Sequence, residues 1–347
     1  MERGCALVGR TVLVTGAARQ LSGRFVRQIR RDPAVDLVVG VDTRRPGYPL
    51  GDLRFVRADI RQPSIVTVLA EYRVDTVVHL DVQGVAASPG VGRAAVKERN
   101  VLGTLQLLGA CQKVPGLRRL VVASSTQVYG SGSRDPAVVS EGAPARAQPG
   151  GGFAQDVAEI EGYVRGFGRR CPDVAVTVLR FAHLLGPGAE SALGAYFRLP
   201  VLPTVLGFDP RLQFVHEHDA VEVLAAAVRD PELVGTFNVA GDGVLLLSQA
   251  ARRLGRPTVP VAGSLTPWLG MLLRAAGVDG ISGEQFRALV HGRVVSTARL
   301  RAALGGPLEY TTADAFADFA AAHGPGLLAP ERVGRALDRM EGALRHG

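Results

Sequence analysis

Short runs of β-branched and aliphatic residues recur through the first half of this chain, each followed by a longer stretch of helical character. The runs lie at 11–15 (TVLVT), 37–41 (LVVGV), 55–57, 76–80 (TVVHL), 120–124 (LVVAS) and 174–179 (VAVTVL). Helical stretches lie between them at 22–31, 63–72, 92–111 and 153–170. Apolar runs of this length, bounded by turns and separated by helices, are strands buried on both faces. The pattern predicts an α/β fold, a doubly wound parallel sheet of Rossmann type. After residue 179 the alternation fades, and turn residues at 186–188, 200–203 and 207–210 punctuate shorter elements. The expected organisation is a larger domain over 1–180, completed by returning segments at about 211–241, and a smaller C-terminal region over 181–347.

A hydrophobic fraction of 47% excludes disorder over most of the chain. The net charge of +8 comes almost wholly from arginine; Lys97 and Lys113 are the only lysines. The arginines are dispersed, with no basic stripe interleaved with aromatics, so no nucleic-acid partner is expected. The composition is that of a GC-rich coding background. Cys5, Cys111 and Cys171 are odd in number, widely spaced and without a C-x-x-C pair. A disulfide framework is excluded, and a reducing, cytoplasmic setting is expected. No apolar stretch has the length of a transmembrane helix, and the apolar N-terminal run reads as a strand, not a leader. The most apolar helical candidate, 267–276 within the segment 264–292, is short and contains Arg274.

The first strand runs into Thr15-Gly16-Ala17-Ala18-Arg19-Gln20-Leu21-Ser22-Gly23 and then a helix. In that context a glycine allows the sharp turn, and the helix N-terminus presents N–H groups to a diphosphate. The spacing G-x-x-G-x-x-G is met only by Gly16; Arg19 and Ser22 hold the other two places, with Gly23 one step late. Asp42, 26 residues after Gly16, ends the second strand, where a carboxylate accepts hydrogen bonds from an adenosine ribose diol. It repels a 2′-phosphate and so favours NAD, while Arg44 and Arg45 offset that repulsion and leave NADP open. A loop rich in Gly, Pro, Ser and Ala spans 130–152 after the fifth strand, at the sheet edge where ligands bind.

The succession TGAARQLSG, VGVD at 39–42, RADI at 57–60, DTVVHL at 75–80, ERNVLGTLQLL at 98–108, VVASSTQVYG at 121–130, VLRFAHLLGP at 178–187, QFVHEHDAV at 213–221 and GTFNVAGDG at 235–243 resembles the extended short-chain dehydrogenase/reductases. These form the NAD-dependent epimerase/dehydratase group, which includes UDP-glucose 4-epimerase. The segment 294–306 is similar to that family's late helix and turn. The resemblance implies a dinucleotide held by Gly16, Ala18, Arg19, Gln20 and Leu21, by Asp42, by Asp59 and Ile60, by Leu80, by Asn100 and by Ser124. It implies a small-molecule ligand such as a sugar nucleotide, no metal, and a homodimer built on the helices at 92–111 and 153–170.

The same resemblance exposes departures. In the family a Tyr moves the proton of the reacting hydroxyl, a Lys four residues later lowers its pKa and holds the nicotinamide ribose, and a Ser or Thr polarises the hydroxyl. Ser125 occupies the hydroxyl position. With Glu161 fixing the register, Phe153 replaces the Tyr and Val157 the Lys, and no Tyr in the chain has a Lys four residues on. Tyr163 lies ten residues beyond Phe153, about 15 Å along a helix. Thr126 and Gln127 stand where the dehydratases carry an acid pair. His183 stands where a substrate-contacting Asn is common and is a candidate replacement acid/base. Leu212 stands where an Arg commonly meets the substrate diphosphate, with Arg211 adjacent. Tyr129 reads as packing beneath the loop. In His216-Glu217-His218-Asp219 the family pattern makes Asp219 a helix cap, not a metal ligand. The chain thus reads as a dinucleotide-binding sensor or scaffold without the usual catalysis. The alternatives are a sugar-nucleotide epimerase or oxidoreductase using rearranged residues such as Ser125 and His183, and an interaction module that has lost the dinucleotide.

Overall fold

The computed structural model describes residues 9–84, 92–132, 135–145, 152–262, 290–324 and 326. Cys5 and the predicted helix at 267–276 lie outside the described residues. Seven parallel strands form one sheet: β1 (Arg10–Thr15), β2 (Val35–Asp42), β3 (Arg54–Arg57), β4 (Thr76–His79), β5 (Arg119–Ser125), β6 (Ala175–Phe181) and, after a long excursion, β11 (Gly235–Val239). Their order is β11-β6-β5-β4-β1-β2-β3. The chain leaves β1 toward β2 and β3, then crosses back to β4. The reversal between β1 and β4 opens a crevice beyond the carboxyl ends of the strands. There Thr15 lies level with Val41 on one side and His79 on the other.

Alternation along β1 assigns the two faces. Val12 and Val14 point into a core with Phe25, Val26 and Ile29 of α1 (Gln20–Ile29) and Leu224 and Val228 of α6 (Glu217–Arg229). Leu13 points the other way, among Ile65 and Leu69 of α2 (Ile65–Glu71), Leu107 of α3 (Arg93–Cys111) and Ile160 and Phe167 of α4 (Phe153–Arg170). A period of two on a sheet covered by helices on both sides is what the apolar runs required. Helices α3 and α4 lie side by side and are bridged by Arg93–Asp156 at 2.7 Å and Lys97–Glu159 at 3.1 Å.

The excursion after β6 and the chain that follows β11 together build a smaller core. It contains α5 (Ala192–Phe197), α7 (Leu247–Leu254) and three two-stranded pairs. These pairs are β7 (His183–Leu185) with β10 (Phe214–His216), β8 (Leu202–Val205) with β13 (Thr258–Val261), and β9 (Arg211–Leu212) with β12 (Leu245–Leu246). The phenyl ring of Phe197 meets Phe316 edge-on at 5.2 Å, with Phe214 and Phe319 around them. Phe316 and Phe319 come from α9 (Thr312–His323), which follows α8 (Ala298–Leu304). Strand β6 runs two residues past its predicted end and buries Arg180 inside the sheet.

Candidate functional site

Gly16 follows β1 at the crevice with φ +67°, in the left-handed region that favours glycine. A Cβ there would also sit 3.1 Å from the Cα of Asp81, so backbone and neighbour both demand glycine. Helix α1 begins at Gln20 with Arg19 as an N-cap whose side chain makes no capping bond. Its first N–H groups are thus left for water or an anion. Asp42 is buried at the end of β2 and accepts from the Ala18 N–H at 3.1 Å and the Arg44 N–H at 3.0 Å. The late glycine, Gly23, makes room for an aromatic neighbour. A Cβ on it would lie 2.5 Å from the ring of Tyr48, whose hydroxyl donates to the Ala17 carbonyl at 2.6 Å. Leu21 packs on the core beneath and Gln20 is exposed.

Asp59 is gripped by Arg61, whose Nε lies 3.1 Å from both carboxylate oxygens, and this pair holds the carboxyl below its ordinary range. Ile60 is buried against Gly103, where a Cβ would come within 2.9 Å of its Cδ1. The Leu80 N–H donates to Thr15 Oγ1 at 3.2 Å. His79 is enclosed, with Nδ1 2.7 Å from the Thr15 hydroxyl and Nε2 2.9 Å from that of Thr104. Since the Thr104 hydroxyl donates to the Asn100 carbonyl, it accepts from Nε2–H, and the ring is the neutral Nε2–H tautomer. Burial pushes the His79 pKa down to about 4.

Asn100 ties three elements together. Its Oδ1 accepts from the Gln83 N–H at 2.8 Å, and its Nδ2 donates to the Gln83 carbonyl and to Asp156 Oδ2 at 3.1 Å. This fixes the end of β4 against α3 and α4. Phe153 opens α4, with its ring 3.4 Å from where a Cβ on Gly84 would stand, and Val157 is fully buried. Ser125 Oγ accepts from the Gln127 N–H and caps the 3-10 turn Thr126–Tyr129. Ser124 faces the opposite way: its hydroxyl donates to Glu161 at 2.6 Å. Glu161 is also bound twice by Arg180, at 2.8 and 2.6 Å. Arg180 reaches the Tyr129 hydroxyl at 2.6 Å, which in turn donates to Asn238 at 2.7 Å. Tyr129 is thus a member of a buried polar network as well as a packed ring.

Beyond Ser125 a narrow pocket is lined by Thr126, Ala182, His183, Arg211, Gln213 and Arg293, among others. Arg293 donates to the Gly130 carbonyl at 2.6 Å and to the Ser131 hydroxyl at 3.0 Å. Arg211 reaches the Ala137 carbonyl at 3.1 Å. Leu212 is buried in the smaller core and borders the pocket beside Arg211, which supplies the cation on this β9 segment. Burial and the neighbouring Arg293 charge push the His183 pKa down to about 3. At neutral pH its imidazole is therefore uncharged and has no imidazolium proton to give. Sequence reasoning missed Arg293; it lies more than a hundred residues from the loop it clasps, with no local signal. Asp219 does not cap α6, because His216 does; Asp219 instead accepts from the Glu309 and Tyr310 N–H groups at 3.2 and 3.1 Å. The His216 ring stacks on Tyr310 at 3.9 Å, while His218 faces Glu309. Among the described residues no His/Cys/Asp/Glu group has a metal-holding arrangement, and no helix is long and apolar enough to cross a membrane.

The NAD dependent epimerase/dehydratase family model matches residues 12–240. The chain belongs to this family. An uncharacterized protein of Mycobacterium tuberculosis is 43% identical to this epimerase/dehydratase-family chain over 337 residues, covering 94% of it and 89% of the relative. A rice UDP-glucose 4-epimerase is 30% identical over 202 residues, 53% of this chain and 47% of its own. Among solved structures, the Thermus thermophilus UDP-glucose 4-epimerase in complex with NAD superposes with a TM-score of 0.68 at 21% identity, over 90% of this chain and 98% of that one. The Thermotoga maritima UDP-glucose 4-epimerase with UDP-glucose gives 0.68 at 17% identity, over 94% and 99%. These likenesses establish the fold. At the start of α4 this chain presents the ring of Phe153 and the buried isopropyl group of Val157.

Proposed function

We propose that this epimerase/dehydratase-family protein binds NAD in the β1–β4 crevice as a sensor or scaffold and does not perform the usual hydroxyl oxidation. The observation that carries the reading is the contrast between the two ends of the crevice. The adenosine end is intact: a left-handed Gly16 turn, uncapped N–H groups at α1 and the buried Asp42 carboxylate together fit an adenosine ribose and diphosphate. The nicotinamide end lacks a proton-transferring group at residue 153 and a cation at residue 157. Bound NAD supplies a hydride acceptor. Among the described side chains there, the Ser125 hydroxyl is the proposed contact for a reacting hydroxyl, and alone it is no base at neutral pH. Arg211 and Arg293 give the adjoining pocket a cationic wall suited to an anionic small molecule of the sugar-nucleotide class. Calorimetry with NAD and NADP tests the reading. NAD is expected to bind more tightly, because Asp42 meets the ribose 2′ position. At 100 times its dissociation constant it should stabilise the fold by about 2.7 kcal/mol. No heat and no thermal shift at millimolar cofactor would remove the proposal.

The protein is also proposed to be a homodimer through α3 and α4. Leu102 and Leu105 on α3 are 48% and 42% exposed, unusual for leucines on so well packed a helix. Ala94 and Ala95 are exposed on the same helix, and Ala158 and Tyr163 on α4 are half-buried. Light scattering should give twice 36.5 kDa at micromolar concentration. Leu102→Glu with Leu105→Glu should return the monomer mass; a native monomer would sink the proposal.

A further inference from the structure

The crevice holds a charge cluster beside the Gly16 turn. Arg19 occupies the place of the second glycine of G-x-x-G-x-x-G. Its side chain folds across the crevice mouth rather than into solvent: one terminal nitrogen lies 3.4 Å from the Val82 carbonyl, and the charges of Asp81, Arg99 and Asp42 act on its guanidinium. Arg99, from α3, spans the same gap. Its Nε is 3.0 Å from Asp81 Oδ2, and its terminal nitrogen is 3.1 Å from the Thr43 hydroxyl and 3.6 Å from Asp42 Oδ1. Asp81 is 3% exposed and takes a further bond from Gln83 Nε2 at 2.8 Å. Its backbone and Cβ lie within about 3 Å of the point where Gly16 would carry a side chain. A buried carboxylate thus stands directly against the phosphate-binding turn.

We infer that Asp81 is a built-in counter-anion of Arg19 and Arg99 that competes with the dinucleotide diphosphate: it neutralises the two arginines across the crevice and thereby weakens binding of any diphosphate-bridged ligand there. The inference rests on the dinucleotide reading above. Two arginines face Asp81 and Asp42, so the cluster is balanced without ligand. A diphosphate adds two further negative charges in a place where water is scarce and charges act strongly. Arg19 and Arg99 favour it, and Asp81 opposes it and competes for both. Affinity is therefore set by a carboxylate that touches neither adenine nor ribose. The cluster tunes a receptor to high ligand concentration while leaving ligand identity to Asp42.

Two probes separate charge from shape: ADP-ribose, which carries the diphosphate, and adenosine, which does not. Asp81→Asn keeps the side chain's size and its bond to one arginine while removing the charge. It should bind ADP-ribose at least tenfold more tightly than the native chain at low ionic strength, with adenosine affinity unchanged within twofold. The gain should shrink as salt is raised. Arg19→Gln, an exchange at the crevice mouth, should weaken ADP-ribose at least tenfold and spare adenosine. A native chain that binds ADP-ribose while Asp81→Asn shows no gain, or a loss, overturns the counter-anion and leaves the dinucleotide reading standing. An unchanged ADP-ribose affinity in Arg19→Gln overturns it equally, whatever the folding of the Asp81 variant. A native chain that binds neither probe, with an Asp81→Asn variant that also binds neither, overturns both.

Discussion

With UDP-glucose, UDP-galactose or dTDP-glucose and NAD, the native chain is expected to show no measurable epimerase or dehydrogenase turnover. Hydroxyl oxidation needs a group that takes a proton as hydride leaves. Phe153 has none to exchange, and Val157, fully buried, brings no cation to lower the pKa of a neighbour. General acid/base catalysis alone is worth about 10²–10⁴-fold. The acidic side chain closest to this position in sequence, Asp156, does not compensate. It accepts from Arg93 at 2.7 Å and from Asn100 at 3.1 Å, so its oxygens are committed to holding α3 against α4. His183 does not compensate either, since burial and Arg293 keep it neutral down to a pH of about 3. Binding without turnover is the signature to look for, with product assays run beside calorimetry on one preparation. Phe153→Tyr with Val157→Lys is the informative companion, because it supplies both groups at the two positions that the family resemblance assigns to them. A gain in that variant alone would show that chemistry was removed at two positions from an otherwise complete pocket. Native turnover at ordinary enzymic rates of about 1–10³ s⁻¹ would defeat the reading and move the chemistry to Ser125 and its neighbours.

The sheet was legible because its signal is local. Each run from 11–15 to 174–179 became a strand; all but the three-residue run at 55–57, which lies in the edge strand β3, are five or six residues long and can be buried between turns only in that form. Gly16 and Asp42 were legible for the same reason, as the end of one strand and the end of the next. What escaped were partnerships across the chain. Arg180 looked like the residue after a strand; it belongs to one because its backbone lies in the ladder between Ser124 and Asn238, and its side chain then meets Glu161 of another element. Leu212 and Arg211 could be told apart only once β9 had a partner strand to set which side faces the smaller core. Asp81 and Arg99, 18 residues apart, carry no recognisable spacing, and meet because β4 ends beside α3. Asp219 resembled a helix cap by pattern, yet Glu309 and Tyr310, about ninety residues later, claim its carboxylate. Electrostatic pairing in a folded chain is specified by topology, and a sequence shows the charges without their partners.

Arg180→Ala should cost about 3–5 kcal/mol of folding stability, a large part of the 5–15 kcal/mol typical of a domain. The guanidinium is 4% exposed and lies between two acceptors: both Glu161 oxygens, at 2.8 and 2.6 Å, and the Tyr129 hydroxyl, at 2.6 Å. It also stacks over the Tyr129 ring at 4.8 Å. Truncation leaves the Glu161 carboxylate buried with the Ser124 hydroxyl and, at 3.6 Å, the exposed Arg165 guanidinium as its remaining partners, and a buried charge so weakly compensated is far costlier than the lost attraction. Denaturant unfolding should show a lower midpoint with an unchanged slope, since the surface exposed on unfolding is nearly the same. Arg180→Met combined with Glu161→Leu removes both charges and is expected to recover much of the loss, because an apolar pair of similar volume carries no desolvation penalty. A cost below about 1 kcal/mol for Arg180→Ala, no larger than a surface ion pair, would show that the network is not a support. The double variant should separate stability from function. Ser124 and Tyr129 lose their charged partners, so the end of β5 and the 3-10 turn that carries Ser125 are no longer fixed against α4. Cofactor affinity should therefore stay reduced in the double variant even where folding stability returns, which assigns this buried pair to holding the floor of the crevice in register.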